Sequence, residues 1–423
     1  MAFFETLPWQ PSFEGLSRKD RMGGVYRAYF PDALAGWEFD LPADLVADIS
    51  DAEREVLSLQ SGGALHVSLE GMARFLLRAE SVSSSHIEGL SAAARRLARA
   101  EAALDGGRDP SDQAACEILG NIRAMERAVA LGTQTKRLTV DTLLELHREL
   151  MQRSVKPEIG GVVRSTQNWI GGSSYNPCTA EFVPPPPEEV PGLLEDLMHY
   201  VDGDTHSPVL QAAIAHAQLE TIHPFADGNG RAGRALIHVI LRRRGLTPQF
   251  VPPVSLVLAT WSRDYIDGLT RFRHGGPSDG AQRAQGAQAW IRTFSAALRR
   301  SCQDANAFRD EITVMVEQWR ERLGSVRKDS GLDRLLRVLP GLPILTRATG
   351  AAHIGRTPRR TGDAIDTLLD AGILVQRNVG RERYRVFEVP EVLDLFTSLE
   401  RRLASPEGDT FASPVTRRVP DRP

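Results

Sequence analysis

The sequence predicts a mainly α-helical protein of more than one domain. Three observations carry that reading. Apolar residues recur at helical spacing through most of the chain, from Leu45, Val46 and Ile49 to the stretch 287–319. Strand signals are confined to 160–187 and 372–387, where turn residues bracket short β-branched or aromatic runs. The length of 423 residues suits two to three domains. At 42% hydrophobic and 25% charged, the composition is that of a soluble protein. A net charge of -3 gives no global pull toward nucleic acid or an anionic membrane, so any basic surface is local. Cys116, Cys178 and Cys302 are odd in number and widely spaced, which suits a reducing cytoplasm and neither a metal set nor a disulfide framework. The start of the chain has no signal-peptide pattern, and no apolar run is long enough for a transmembrane helix.

Residues 1–40 are rich in aromatics, Pro and Gly and read as an extended arm anchored by Trp9, Tyr26, Tyr29, Phe30 and Trp37. From Asp44 to Leu77 the spacing is helical. In the segment Ser81–Gly89, Ser84 and Glu88 are an i, i+4 pair and Gly89 suits a C-cap; by itself this is an ordinary helix end. Two amphipathic helices follow over 112–131 and 139–152, with Thr139 as N-cap. His147 reads as a packed or surface residue, because no partner pattern makes it a ligand. Residues 160–187 read as a β-hairpin with short strands at Val162–Arg164 and Asn168–Ile170, ended by Pro184–Pro187.

Residues 188–201 return to helical spacing, and Ser207-Pro208 opens another helix that runs through small alanines to His223. Tyr265 lies on a helix with Leu269 and reads either as core or as the wall of an adenine pocket. After the long helices of 287–319, residues 332–396 read as helix, turn, helix, then two strands around the turn Asn378–Arg381. That order resembles a winged helix. Arg356, Arg359 and Arg360 sit at the start of its second helix, where a DNA-reading helix meets phosphates or bases. Asp363, Asp366 and Glu382 dilute the charge, so protein docking or packing in a homodimer is favoured over DNA.

The most informative stretch is His223-Pro-Phe-Ala-Asp-Gly-Asn-Gly-Arg-Ala-Gly-Arg234. Gly228, Asn229 and Gly230 form a turn that leads into the helix of Ala235–Leu241, which Gly245 ends. Unpaired N–H groups and the dipole at such a helix start favour a phosphate. Arg231 and Arg234, three apart, project from the same side of the first turn and suit phosphate through their planar forks. Asp227 supplies a hard oxygen that suits Mg²⁺. His223, just before the loop, can take a proton from a hydroxyl near neutral pH.

This stretch matches the Fic signature, His-x-Phe-x-(Asp/Glu)-Gly-Asn-Gly-Arg-x-x-Arg, at every specified position. The resemblance implies a Fic-type helical core with a β-hairpin flap and transfer of AMP from ATP to a protein hydroxyl. It makes His223 the general base, Phe225 a core anchor, Asp227 the Mg²⁺ ligand, and Gly228, Asn229 and Gly230 the anion hole. Arg231 would hold the β-phosphate side and Arg234 the γ-phosphate. Doc kinases carry lysine where Gly230 stands, so Gly230 favours nucleotidyl transfer. Ser84-Ser-His-Ile-Glu88-Gly89 resembles the inhibitory motif of Fic proteins, in which Glu88 would occupy Arg234 and could also orient a water for AMP removal. The same resemblance makes Thr179, Ala180, Glu181, Phe182 and Val183 the flap, whose exposed edge takes a target segment by strand addition. The expected organisation is an N-terminal inhibitory region (1–110), a catalytic core (111–275), connecting helices (276–330), a winged helix (331–396) and a disordered tail (397–423). The partners are a hydroxyl-bearing target protein and no membrane. The alternative is a DNA-binding regulator whose Fic site senses nucleotide or modifies the regulator itself.

Overall fold

The computed structural model describes residues 2–13, 15–61, 69–105, 107, 109–275, 280–377 and 385–403. It is 63% helical, in agreement with the predicted class. The chain opens with β1 (Phe3–Trp9), α1 (Arg18–Arg21), β2 (Gly24–Phe30), α2 (Ala43–Ser61), α3 (Leu69–Ile87) and α4 (Ala94–Asp105). It continues through α5 (Gln113–Gln134), α6 (Val140–Met151), α7 (Val190–Asp202), α8 (Pro208–Ile222), α9 (Asn229–Arg243), α10 (Val254–Thr260) and α11 (Ser262–Phe272). The remainder is α12 (Ala281–Leu323), α13 (Gly331–Val338), β3 (Ile344–Thr346), α14 (Arg347–Ile354), α15 (Pro358–Asp370), β4 (Val375–Gln376), β5 (Val386–Glu388) and α16 (Pro390–Leu403). No helix among the described residues is long and apolar enough to cross a membrane.

Packing divides the chain into two compact units. One holds residues 1–54, 123–246 and 263–296; the other holds 55–122, 247–262 and 297–423.

The centre of the first unit is α8, buried from Val209 to Ile222. Alanines at 212, 213, 215 and 217 let its neighbours approach closely, and its buried polar groups find partners. Gln211 Nε2 donates to the Tyr200 carbonyl at 2.9 Å, Gln218 Nε2 to the Asp32 carbonyl at 2.9 Å, and Trp290 Nε1 reaches the Ala213 carbonyl at 2.7 Å. Ser207 caps α8 and Thr139 caps α6, as their sequence positions predicted.

The N-terminal residues are more regular than an extended arm. β1 and β2 form an antiparallel pair from Phe3↔Phe30 to Trp9↔Gly24. Cross-strand rings bring the strands together, with Phe3 stacked on Phe30 at 4.6 Å and Phe4 against Tyr29 at 4.9 Å.

The hairpin expected over 160–187 shrinks to bridges. Val162–Arg164 is no strand, because the Arg164 N–H goes to the Pro224 carbonyl at 2.9 Å rather than to a ladder partner. Ile170 bridges Phe182, residues Pro177–Thr179 form a 3₁₀ turn, and the prolines at 184–187 offer no N–H. The flap edge is not fully open either. Val183 bridges Ala28 in parallel sense, and Tyr29 N–H donates to the Val183 carbonyl at 2.9 Å. Of the expected flap residues, Thr179 and Glu181 are exposed, Ala180 is half-buried, and Phe182 and Val183 are buried.

In the second unit, α3 carries serines that bond back along their own helix. Ser81 Oγ donates to the Leu77 carbonyl at 2.8 Å and Ser85 Oγ to the Ser81 carbonyl at 3.1 Å. Asn121 Nδ2 braces that turn, donating to the Ser81 carbonyl at 2.7 Å and to Ser85 Oγ at 3.1 Å. Buried Glu80 caps α10, accepting from the Ser255 N–H at 2.7 Å. Toward the C-terminus, α14 and α15 form the expected helix-turn-helix, joined at Gly355, whose φ of 61° ends α14. Gly372 (φ 69°) likewise ends α15, so the second strand signal begins only at Val375, not at Gly372. β3, absent from the sequence reading, completes a three-stranded antiparallel sheet of order β3-β5-β4. The turn Asn378–Arg381 lies outside the described residues. α16 runs to Leu403, so 397–403 is helix rather than tail, and 404–423 lies outside the described residues.

Candidate active site

The signature loop joins α8 to α9 within the first unit. His223 ends α8 in the left-handed region, at φ 49° and ψ 58°, with its N–H bonded to the Leu219 carbonyl at 2.8 Å. A non-glycine residue there costs roughly 1 kcal/mol, so neighbours must hold it. They do so through its carbonyl. Arg164 Nε donates to the His223 carbonyl at 2.9 Å and Asn168 Nδ2 at 3.2 Å. The Arg164 guanidinium also donates to the carbonyls of Thr166 at 3.2 Å, Pro185 at 2.5 Å and Ile222 at 3.4 Å. Burial lowers its pKa to about 10.

The His223 ring is oriented from α8. Its Nδ1 lies 3.4 Å from the Glu220 carbonyl, a contact that favours the tautomer with its hydrogen on Nδ1 and Nε2 unprotonated. The Glu220 carboxylate lies 3.9 Å from the same Nδ1, where it would stabilise an imidazolium.

The loop itself is pinned by side chains rather than left as a flexible glycine turn. Asn229 closes a ring with Phe225, accepting from its N–H at 2.8 Å and donating to its carbonyl at 2.9 Å. The Asn229 amide is thereby committed to structure, and anion binding is left to the backbone. Gly228 is the N-cap of α9 at φ 79°, and Asn229, Gly230 and Arg231 form its first turn. Helix geometry gives first-turn N–H groups no carbonyl four residues back, which suits this turn to an anion. Arg231 and Arg234 are both buried at its base. Asp227 is exposed by contrast; its Oδ1 accepts from Gly228 N–H at 2.6 Å and lies 3.4 Å from Arg231.

Two buried histidines, His147 and His216, support this loop. His147 is fully buried and stacks on Phe225 at 3.7 Å between ring centroids. Its Nδ1 accepts from Gly161 N–H at 3.0 Å and its Nε2 faces the Asp227 carbonyl at 2.9 Å, so the ring is the neutral Nε2–H form. Burial lowers its pKa to about 4. His216, also buried and pushed down to about 3, meets the Tyr265 hydroxyl at 2.9 Å, and that oxygen accepts from Arg234 at 3.4 Å. Tyr265 is therefore a buried core residue that orients Arg234. Gly233, unspecified in the motif, is fixed by the same cluster: a Cβ there would lie 3.0 Å from His216 Nδ1.

The structure thus brings His223, Asp227, Gly228, Asn229, Gly230, Arg231 and Arg234 into one loop, and adds Glu220, Arg164, Asn168, His147 and Tyr265. Spacing could have flagged only Glu220, one turn before His223 on the same helix. In the second unit, α3 ends where the motif predicted. Ser84 is buried, Glu88 is exposed, and Gly89 adopts φ 78° while Leu90 N–H returns to the Ser85 carbonyl at 3.0 Å.

Known proteins share these regions. Residues 137–241 match the Fic/DOC family model, and residues 46–130 match that of the Fic/DOC family N-terminal region. The chain is 37% identical over 139 residues to Protein adenylyltransferase Fic of Drosophila grimshawi, covering 32% of this chain and 27% of that protein. It is 32% identical over 260 residues to Protein adenylyltransferase Fic of Drosophila ananassae, covering 59% of this chain and 46% of that protein. The chain therefore spans less than half the length of these relatives. A Fic family protein from Desulfovibrio desulfuricans G20 aligns in structure over 83% of this chain and 97% of its own, with a TM-score of 0.49 and 19% identity.

Proposed function

Since the chain carries a Fic/DOC domain over 137–241 with the family's N-terminal region ahead of it, we propose that it transfers AMP from ATP to a hydroxyl side chain of a protein target. One observation carries the reading: a histidine with its proton-accepting nitrogen set by Glu220 stands at the mouth of a backbone anion cradle floored by two arginines. In this mechanism the cradle of Asn229, Gly230 and Arg231 N–H groups holds the phosphates, and Arg231 and Arg234 neutralise the departing end. His223 Nε2 accepts the hydroxyl proton as the oxygen attacks the α-phosphorus in line, and pyrophosphate leaves. Positioning and charge stabilisation supply most of the rate.

Asp227 fits Mg²⁺. It is the exposed carboxylate of the loop, and among the described residues Gly228 and Arg231 engage only its Oδ1. A magnesium ion needs only one or two carboxylates when phosphates and water supply the rest. The ion, when bound, would supply charge neutralisation between the phosphates.

Glu88 is the proposed brake, acting by pairing with Arg234 and denying it to the γ-phosphate. The reading rests on the match of Ser84–Gly89 to the inhibitory motif at the end of α3. The N-terminal region, the Fic core and the C-terminal helix-turn-helix would then serve inhibition, chemistry and partner choice in the cytoplasm.

The test is self-labelling and lysate labelling with α-labelled ATP, alongside calorimetry of ATP binding. His223→Ala should abolish transfer and keep ATP binding. Glu88→Gly should raise transfer, whereas Arg234→Ala should not. Near wild-type transfer by His223→Ala would remove the histidine from its role. Loss of AMP removal in Glu88→Gly would reassign Glu88 to the reverse reaction.

A further inference from the structure

The basic residues around the start of α15 have no part in that chemistry. Arg356 and Arg360 line an open depression of about 600 Å³ together with Arg327 and Lys328 from the linker between α12 and α13. The linker is held against α15 by the Arg356 guanidinium, which donates to the Asp329 carbonyl at 3.5 Å. Asp329 adopts φ 60°, uncommon for a residue other than glycine, and its N–H is taken by Asp333 at 3.0 Å. A fixed backbone thus presents Arg327 and Lys328 on the same surface as α15.

The charge balance is positive. Two carboxylates, Asp329 and Asp363, also border the depression, but Asp329 faces Arg334 at 3.7 Å. Arg327, Lys328 and Arg360 are exposed and have no ion-pair partner among the described residues. The N-terminus of α13 opens here, and its dipole adds positive potential. In a chain of net charge -3 this is a local reversal of sign.

The lining also narrows the ligand. No aromatic side chain lines the depression among the described residues, so nothing offers a stacking platform for a free nucleotide or a single strand. Cations spread over an open surface suit phosphates spaced along a duplex instead. We propose that this depression binds the phosphodiester backbone of double-stranded nucleic acid, independently of the Fic loop.

The experiment is fluorescence anisotropy of the full chain with a labelled random-sequence duplex DNA at about 50 and about 200 mM salt. The wild type should bind and weaken as salt rises. Substituting Arg327, Lys328, Arg356 and Arg360 together by Gln should weaken binding and flatten the log–log salt slope by about 0.9 for each phosphate no longer neutralised. Arg359→Gln, outside the depression, should flatten the slope by no more than the share of a single phosphate. Single-stranded DNA should bind more weakly and ATP should not compete. A thermal melt checks that the variants remain folded. Absence of duplex binding by the wild type, or an unchanged slope in the quadruple variant, would overturn the proposal. So would displacement of the duplex by polyglutamate as readily as by unlabelled duplex, which would assign the patch to an acidic protein.

Discussion

Lowering the pH should loosen the signature loop through His147. The ring is neutral in the fold, held at a pKa of about 4 against 6.5 in the unfolded chain, with burial as the main cause. A folded pKa below the unfolded one means the unfolded chain binds the extra proton first. The associated stability is therefore complete above pH 6.5 and is lost as pH falls from 6.5 toward 4. The full loss is about 3 kcal/mol, and about 2 kcal/mol is gone by about pH 5. Replacing the ring by leucine removes this titration. It also strands the Gly161 N–H and the Asp227 carbonyl, which lie 3.0 and 2.9 Å from the ring nitrogens. Two buried groups left without partners cost about 2–5 kcal/mol. His147→Leu should therefore be less stable than wild type at about pH 7.5, yet lose about 2 kcal/mol less on moving to about pH 5. Urea unfolding followed by circular dichroism at both pH values measures this difference. Equal stabilities at the higher pH, or parallel losses in the two proteins, would refute the assigned hydrogen bonds and the neutral ring.

Three substitutions probe the other supports of the loop. Arg164→Met should lower transfer far more than ATP affinity, and cost about 3–5 kcal/mol, because the guanidinium serves four carbonyls including that of His223; transfer rate, calorimetry and a melt separate the effects. Gly228→Ala should cost about 1–2 kcal/mol and weaken ATP binding, since its φ is 79° and a Cβ would meet Leu150 at 3.1 Å; unchanged ATP affinity would argue against a cradle at this turn. Tyr265→Phe should weaken ATP binding without touching the His223 ring, because it removes the oxygen that joins His216 to Arg234; a calorimetric titration reads it.

Some of this was legible because it is local. Ser207, Thr139, Gly245 and Gly89 mark helix ends through caps that act within one turn, and each lies where its pattern predicted. The loop was legible for the same reason, since its candidate base, glycine turn and arginines are nearly consecutive. The β elements were harder. The 160–187 segment carries strand-forming residues, but Arg164 spends its backbone N–H on Pro224, and pairing is reduced to the isolated bridges Ile170–Phe182 and Val183–Ala28. The N-terminal aromatics were visible as anchors, whereas their pairing into a two-stranded sheet was not.

By itself the sequence determined the helical class, the composition of the proposed phosphate cradle and the candidate base beside it. These depend on residues within a few positions of one another. Tertiary structure decided how that loop is held. His147 lies 80 residues from Asp227, Asn168 lies 55 from His223, and Arg164 lies 59 from the same carbonyl. No local rule joins residues at such separations. They meet because α8 is buried all round, with no exposed face to give it a periodic signature, and every element packed on it must satisfy the polar groups it buries.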